Sequence, residues 1–381
     1  MAVREYPDVV SATGGQLSRY LWSDSLHHDV RDKFFFTKHG FVGPDVGGEG
    51  GTLDTSVGYP IVEKTELGKG RGKHIELPLL LALTGSATVG VTAMVDTAAE
   101  EALLFEYRKA YIETIRHATG YIGDMSEVRN TFLNKDNAVK QLTKWLAEQE
   151  EQMVFDAFYR GNAEHVAPSS GTTGIDRDQV LHPNWYGGGD VPAAVSATVE
   201  DAVDSNDTMG TAELERMGVW FDVNKIDPVR VPEKEGFQEG FIALLHPYQF
   251  YTLRQDPVWQ SANENAGVRG FQNPLFTGAK GLWNGIFIYT STLVENAETG
   301  RTDRTSKRKA IFFGANAILK AIGVPEAINP RQEDDYGLYR AWAISKTLGY
   351  ARLDWIQDIA SGPTTRNQSS AIMTTWAADP V

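Results

Sequence analysis

The sharpest pattern along the chain is helical. Between Asn137 and Arg160, the apolar residues Val139, Leu142, Trp145, Leu146, Met153, Val154, Ala157 and Phe158 recur at helical spacing, with Lys140, Lys144, Glu148, Glu151 and Asp156 mostly on the other face. The run begins near Ser126 or Asp136 and Gly161 supplies the stop, which predicts one amphipathic helix about 35 Å long. One side of it must lie against a sheet or another subunit. A second, shorter helix is predicted from Thr211 through Val219, where good helix formers follow polar capping candidates.

Strand patterns are interspersed with these helices. Residues 75–83 and 103–112 have strand character, and Pro78, which lacks an N–H for one ladder bond, favours an edge position. Beside the first run lies a charged, glycine-punctuated stretch containing Lys64, Glu66, Gly68, Lys69, Gly70, Arg71, Gly72 and Lys73, and together they predict a projecting hairpin with that stretch at its tip. Such a loop has little to bury in its own subunit, and ordering each residue costs about 1–2 kcal/mol of backbone entropy. Lys64, Glu66, Lys69, Arg71 and Lys73 are therefore candidate inter-subunit contacts.

The run from Gly240 to Leu245 reads as a buried strand that turns into a helix at Pro247, with His246 as the cap. Further strands are predicted at Ile286–Thr290, 310–313 and 342–345. Helices and strands alternate without a strict strand-helix-strand order, which predicts an α+β fold rather than a doubly wound sheet. Residues 1–60 lack the periodicity to bury a face alone, so they are either an arm lying on a neighbour or an irregular N-terminus packed on its own body. Residues 168–207, rich in Gly, Ser and Asp, predict loops and insertions.

Composition narrows the class. The 381 residues allow two compact lobes or one domain with large excursions, and 41% apolar with 23% charged residues marks a folded chain. Cysteine is absent, which excludes disulfides, thiolate metal sites and cysteine nucleophiles. A net charge of −14, from 50 acidic against 36 basic residues, argues against a surface built to grip phosphate backbones. The basic stretches at 64–73 and 301–309 read as solvated loops. The N-terminal segment shows no signal-peptide pattern and no run reaches the ~18 apolar residues of a membrane span, so a cytosolic protein without a membrane partner is expected.

The search for chemistry ends without a centre. The stretch from Gly68 to Gly72 lacks dinucleotide-loop spacing and no Walker-type motif occurs. None of the eight histidines falls in a metal-binding pair on one helix, and Gly85-Ser86-Ala87 does not complete a nucleophile elbow. His246 has no nucleophile or carboxylate at catalytic spacing, and the cluster Glu333-Asp334-Asp335 reads as a solvated loop. No catalytic residue, cofactor-binding residue or metal ligand is assigned, and the chain is not expected to be an enzyme.

A series of motifs in a fixed order carries a resemblance. It runs through Leu83-Thr84-Gly85, Glu100-Glu101-Ala102-Leu103 and Arg116-His117-Ala118-Thr119-Gly120, then the long helix from Leu142 to Gly161. It continues with His246-Pro247-Tyr248-Gln249-Phe250, Asn273-Pro274-Leu275-Phe276-Thr277-Gly278-Ala279, Gly281-Leu282-Trp283-Asn284-Gly285, Phe313-Gly314-Ala315-Asn316-Ala317 and Leu348-Gly349-Tyr350. In that order the chain resembles the N4-like tailed-phage major capsid protein family from about residue 75 to 355.

The resemblance implies the Hong Kong-type phage capsid fold, divided into an N-terminal arm (1–60), an extended hairpin loop with flanking strands (61–115), a peripheral domain with a spine helix (116–164), an axial domain (165–335), and a return to the peripheral domain with a C-terminal tail (336–381). It further implies self-assembly into hexamers and pentamers of an icosahedral shell made in the host cytoplasm. Packaged double-stranded DNA would be touched non-specifically, and portal, scaffolding and decoration proteins are the implied partners. A nanocompartment shell shares the fold and stands as the alternative, followed by a soluble enzyme with an unrecognised motif.

Overall fold

The structure, a computed structural model, describes residues 34–45, 58–65, 74–80, 105–122, 135–160, 180–181, 202–223, 226–233, 236–265, 280–297, 303–330, 339–356, 365–367, 369–377 and 379. Its helices are α1 (Phe35–Lys38), α2 (Lys135–Arg160), α3 (Thr211–Val223), α4 (Pro247–Gln255) and α5 (Pro257–Asn265). Two sheets organise everything else. The first runs β1 (Val42–Asp45), β2 (Ile61–Lys64), β12 (Ile318–Pro330), β13 (Tyr339–Arg352), β5 (Glu113–Ile122). The second runs β6 (Val180–Leu181), β16 (Ser370–Trp376), β11 (Lys307–Phe313), β8 (Gly236–Leu245), β10 (Ile286–Thr290), β9 (Gly281–Trp283), with β7 (Val229–Glu233) paired to the first half of β8. Both sheets mix parallel and antiparallel neighbours, as in an α+β fold.

Two separate ribbons complete the strand set: β3 (His74–Leu80) with β4 (Phe105–Tyr111), and β14 (Asp354–Ile356) with β15 (Thr365–Asn367). The β9–β10 connection is a two-residue turn in which Asn284 and Gly285 have φ of 45° and 78°. Two positive φ angles in succession are what a type I′ hairpin demands, and Asn-Gly is the pair that tolerates them best.

The long helix is amphipathic only in its first half. There Leu142, Leu146 and Ala147 pack on Ile328, Trp342 and Ile344 of the five-stranded sheet, while Lys140, Lys144 and Glu148 remain exposed. Over residues 153–159 every side chain is buried, including Asp156, which the helical pattern had placed on the polar face. The second sheet is the cause. Met153, Val154, Phe155, Phe158 and Tyr159 share one core with Ile242, Leu244, Phe287, Ile311 and Phe313, so the last turns of α2 are covered from both sides.

Residues 318–330 form β12, the middle strand of the sheet beneath α2. Residues 370–376 form β16, inside the seven-stranded sheet between β6 and β11. The crossing between sheets is the tight connection from β11 to β12. A Cβ on Gly314 there would come within 2.6 Å of the Asp227 carbonyl oxygen, and Asn316 has φ of 56°. Sequence position alone does not show where such a short crossing falls.

Helix ends follow local chemistry. At α4, His246 donates its backbone N–H to Gln249 Oε1 (2.9 Å) and accepts the Tyr248 N–H at Nδ1 (3.2 Å), as the sequence predicted for a cap before Pro247. Burial, with Arg308 nearby, pushes the His246 pKa down to about 4, which keeps Nδ1 free to accept. The Asp256 carboxylate serves two helices, accepting from Thr211 N–H (2.7 Å) at the start of α3 and from Val258 N–H (2.9 Å) at the start of α5.

Gly349 of β13 lies under the point where the β3–β4 ribbon joins the sheet, and a Cβ there would strike the backbone carbonyl of Tyr111. Because backbone cannot step aside as a side-chain tip can, Gly349→Ala is expected to cost about 3 kcal/mol. Chemical denaturation of the folded subunit measures it, and a loss below about 0.5 kcal/mol would show that the crossing is loose.

Candidate functional site

A buried network of charged side chains lies beneath the middle of α2. Glu150 occupies a position on the apolar stripe of the helix, one turn past Leu146, and is 1% exposed. Lys346 of β13 donates to Glu150 Oε1 at 2.6 Å and lies 3.2 Å from Glu326 of β12. Lys320, also on β12, lies 3.6 Å from Glu150 and 3.7 Å from Glu63 of β2. The Tyr350 hydroxyl donates to Glu150 Oε2 at 3.2 Å. Three elements, α2, β12 and β13, meet at one carboxylate, and β2 joins them through Glu63 and Lys320.

The protonation balance follows from competing forces. Burial pushes the Glu150 carboxyl up, but Lys346 and Lys320 together pull it below the usual carboxylate range. Burial pushes the Lys346 ammonium down, and Glu150 and Glu326 more than offset it, holding it above the ordinary lysine value. Burial first, then the Glu150 charge, raises the Tyr350 hydroxyl well above its ordinary range. Removing one member leaves a buried charge short of one of its partners, which is where such networks exact most of their cost.

Around this network the chain is laced together. Phe34 lies beneath the Lys320 ammonium (5.5 Å to the ring centroid), Phe36 packs on Phe155 at 5.9 Å, and the Phe35 N–H donates to Glu151 at 2.7 Å. The segment from Phe34 to Phe41 is thus docked on its own body, which answers for those residues the question left open for 1–60. At the far end of α2, the Tyr159 hydroxyl donates to the Lys309 carbonyl (2.8 Å) and Arg352 donates to the Phe158 carbonyl (2.9 Å). The crossing from β11 to β12 gives its N–H groups to three other segments: Gly314 to Ser369 (2.7 Å), Ala315 to Asp227 (2.9 Å), and Asn316 and Ala317 to Tyr59 and Pro60 (both 2.8 Å).

The paired ribbon corrects the expected hairpin. β3 and β4 pair from His74↔Tyr111 to Leu80↔Phe105, and Ile75, Leu77 and Ala110 are buried against Leu319, Ala321, Ala351 and Leu353. The His74 and Tyr111 end is therefore the root, and the chain between the two strands is 81–104. Because β3 and β4 are joined by 81–104, the charged stretch, which precedes His74 in the chain, is not the link between them. Lys64 is removed from the contact candidates: it is a β2 strand residue, 2% exposed within its own subunit. Glu66, Lys69, Arg71 and Lys73 lie outside the described residues.

Nothing in this arrangement resembles a reaction centre. His246 is occupied as a cap, and among the described residues no three His, Asp or Glu side chains converge as metal ligands. No described helix is long and apolar enough to cross a membrane.

Residues 32–377 match the family model described as phage capsid protein. The chain belongs to the phage capsid protein family. The major capsid protein of Pseudomonas phage KPP25 is 24% identical over 323 residues, covering 79% of this chain and 83% of that protein. The capsid of Ralstonia phage GP4 superposes with a TM-score of 0.68 at 22% identity, covering 92% and 93% of the two chains. The cyanophage Pam1 capsid gives 0.66 at 17% identity, covering 91% and 93%. The fold is thus the Hong Kong-type capsid fold. The role is that of a major capsid protein of a tailed phage, a structural component of the virion and not an enzyme.

In this capsid protein, Glu150→Gln and Lys346→Met are each expected to destabilise the subunit by about 3–5 kcal/mol, measured by chemical denaturation. The pH dependence has a fixed sign. The depressed Glu150 contributes fully above the ordinary carboxylate pKa and is lost as pH falls through its folded value. The elevated Lys346 contributes fully below the ordinary lysine pKa and is lost as pH rises through its folded value. Thermal midpoints should fall at both extremes in the wild type and lose part of their acid-side slope in Glu150→Gln. An unchanged acid limb in that variant would mean that Glu150 does not set it.

Proposed function

We propose that this chain builds the icosahedral head of a tailed phage as hexamers and pentamers around packaged double-stranded DNA. The observation that carries the reading is the match over residues 32–377 to the capsid family, joined to a helix that fastens two sheets into one rigid plate. In this reading α2 is the spine helix and the five-stranded sheet beneath it the peripheral domain. The seven-stranded sheet is the axial domain, and the β3–β4 ribbon with residues 81–104 is the extended loop. The net charge of −14 fits a shell that encloses DNA through few and non-specific contacts. Assembly takes place in the host cytoplasm, with portal, scaffolding and decoration proteins as partners. Glu66, Lys69, Arg71 and Lys73 stay proposed as inter-subunit contacts.

Full-length protein expressed alone or with its neighbouring head proteins should sediment as closed particles and appear as shells by negative-stain microscopy. A monodisperse monomer under both conditions would overturn the reading. Exposed ion pairs are worth only about 0–1 kcal/mol each, but a shell repeats every pair in each copy. Lys69→Glu combined with Arg71→Glu should therefore leave the subunit folded while lowering the salt and thermal resistance of the particles. Particles of unchanged resistance would remove Lys69 and Arg71 from the contacts.

A further inference from the structure

The helices α3, α4 and α5 cover the face of the seven-stranded sheet turned away from α2. Leu214, Met217 and Phe221 of α3 share a core with Ala243, Ile288 and Phe312, whereas the neighbouring Ile242, Leu244 and Ile311 share theirs with α2. The inner side of α3 is thereby filled, and its outer side turns to solvent. That outer side is not uniformly polar. Among the described residues the exposed large apolar side chains are Val219, Val223, Tyr251, Val258 and Val324, and all but Val324 stand on this helical layer.

Exposed apolar residues scattered singly are ordinary, but Val219 and Val223 are not scattered. They are 45% and 63% exposed and lie one turn apart on α3, so they form a single ridge. Glu215, four residues before Val219, and Asp222, three residues after it, are exposed on the same stripe. Residues 202–227 carry six acidic side chains against Arg216 and Lys225, and Arg216 is turned to Glu213 at 3.3 Å. The ridge is therefore framed by negative charge. Its complement is a cation, and a second copy of a chain at −14 brings the same sign.

We propose that the outer stripe of α3 is a docking surface for a different protein, whose cationic amphipathic helix lays two apolar residues on Val219 and Val223. Lysines or arginines on either side of those residues face Glu215 and Asp222. The valines supply apolar burial, and the carboxylates set the orientation of the partner and the rate of encounter. The folded subunit alone carries this surface, so it does not depend on the shell reading above.

Full-length protein titrated against a labelled synthetic helical peptide, with two leucines one turn apart between lysines, tests it by fluorescence anisotropy. Two control peptides replace the leucines by serine or the lysines by glutamate. The first peptide should bind at least about tenfold more tightly than either control. Val219→Ser with Val223→Ser, and Glu215→Gln with Asp222→Asn, should each weaken it at least about tenfold. Both variants should keep the thermal midpoint, since all four side chains are exposed. The carboxylate variant should also flatten the salt dependence of binding. Equal binding of either control overturns the proposal, as does binding that the variants leave unchanged, or no binding. Self-association that the valine variant abolishes also overturns it, because the ridge then belongs to a second copy. Should a variant fail to fold, a photo-cross-linker on the peptide decides with the wild-type protein. Adducts within 211–223 support the proposal, and adducts confined elsewhere overturn it.

Discussion

Covering α2 from two sides is the constraint on which the rest of this subunit depends. A helix lying on one sheet keeps a polar face for solvent, and the first half of α2 does so with Lys140, Lys144 and Glu148. Once the seven-stranded sheet closes over residues 153–159, no polar face is left and Asp156 is carried inside with the apolar residues, while Glu150, on the stripe that faces the five-stranded sheet, is buried there. Charges in that position must find partners, because an isolated buried carboxylate is among the costliest features a fold can hold. Glu150 finds Lys346, Lys320 and Tyr350 from the sheet below. The geometry of the network fixes the height and rotation of the helix over the sheet more narrowly than apolar packing would, since a slide of one residue would break several short contacts at once.

The same closure explains why the chain crosses between its sheets in so few residues. Gly314 to Ala317 pass from β11 to β12 with all four N–H groups tied to three other segments of the body. For a shell subunit this rigidity has a use. Stress on one part of a plate reaches its edges without being absorbed in a hinge. The absence of catalytic groups among the described residues and the wealth of buried ion pairs are then two sides of one design, in which polar chemistry is spent on holding shape.

What the sequence determined by itself was local. The α2 stripe, the α3 pattern, β10 at Ile286–Thr290 and the cap at His246 were legible because each depends on residues within a few positions of one another. The order of short motifs also carried the family, since Gly314, Gly349 and the Asn284-Gly285 pair stand where backbone geometry tolerates little else. The type I′ turn went unread, although Asn-Gly between two apolar runs is its usual sign. Only the tertiary structure could decide the rest. Lys346 and Glu150 lie 196 residues apart, and the sole trace of their pairing is a charge on an otherwise apolar stripe in each element. The pairing of β3 with β4, the return of β16 to the second sheet and the burial of Lys64 likewise depend on which strands pair. Strand pairing is chosen by contacts between distant segments, and a pattern read along the chain carries no record of them.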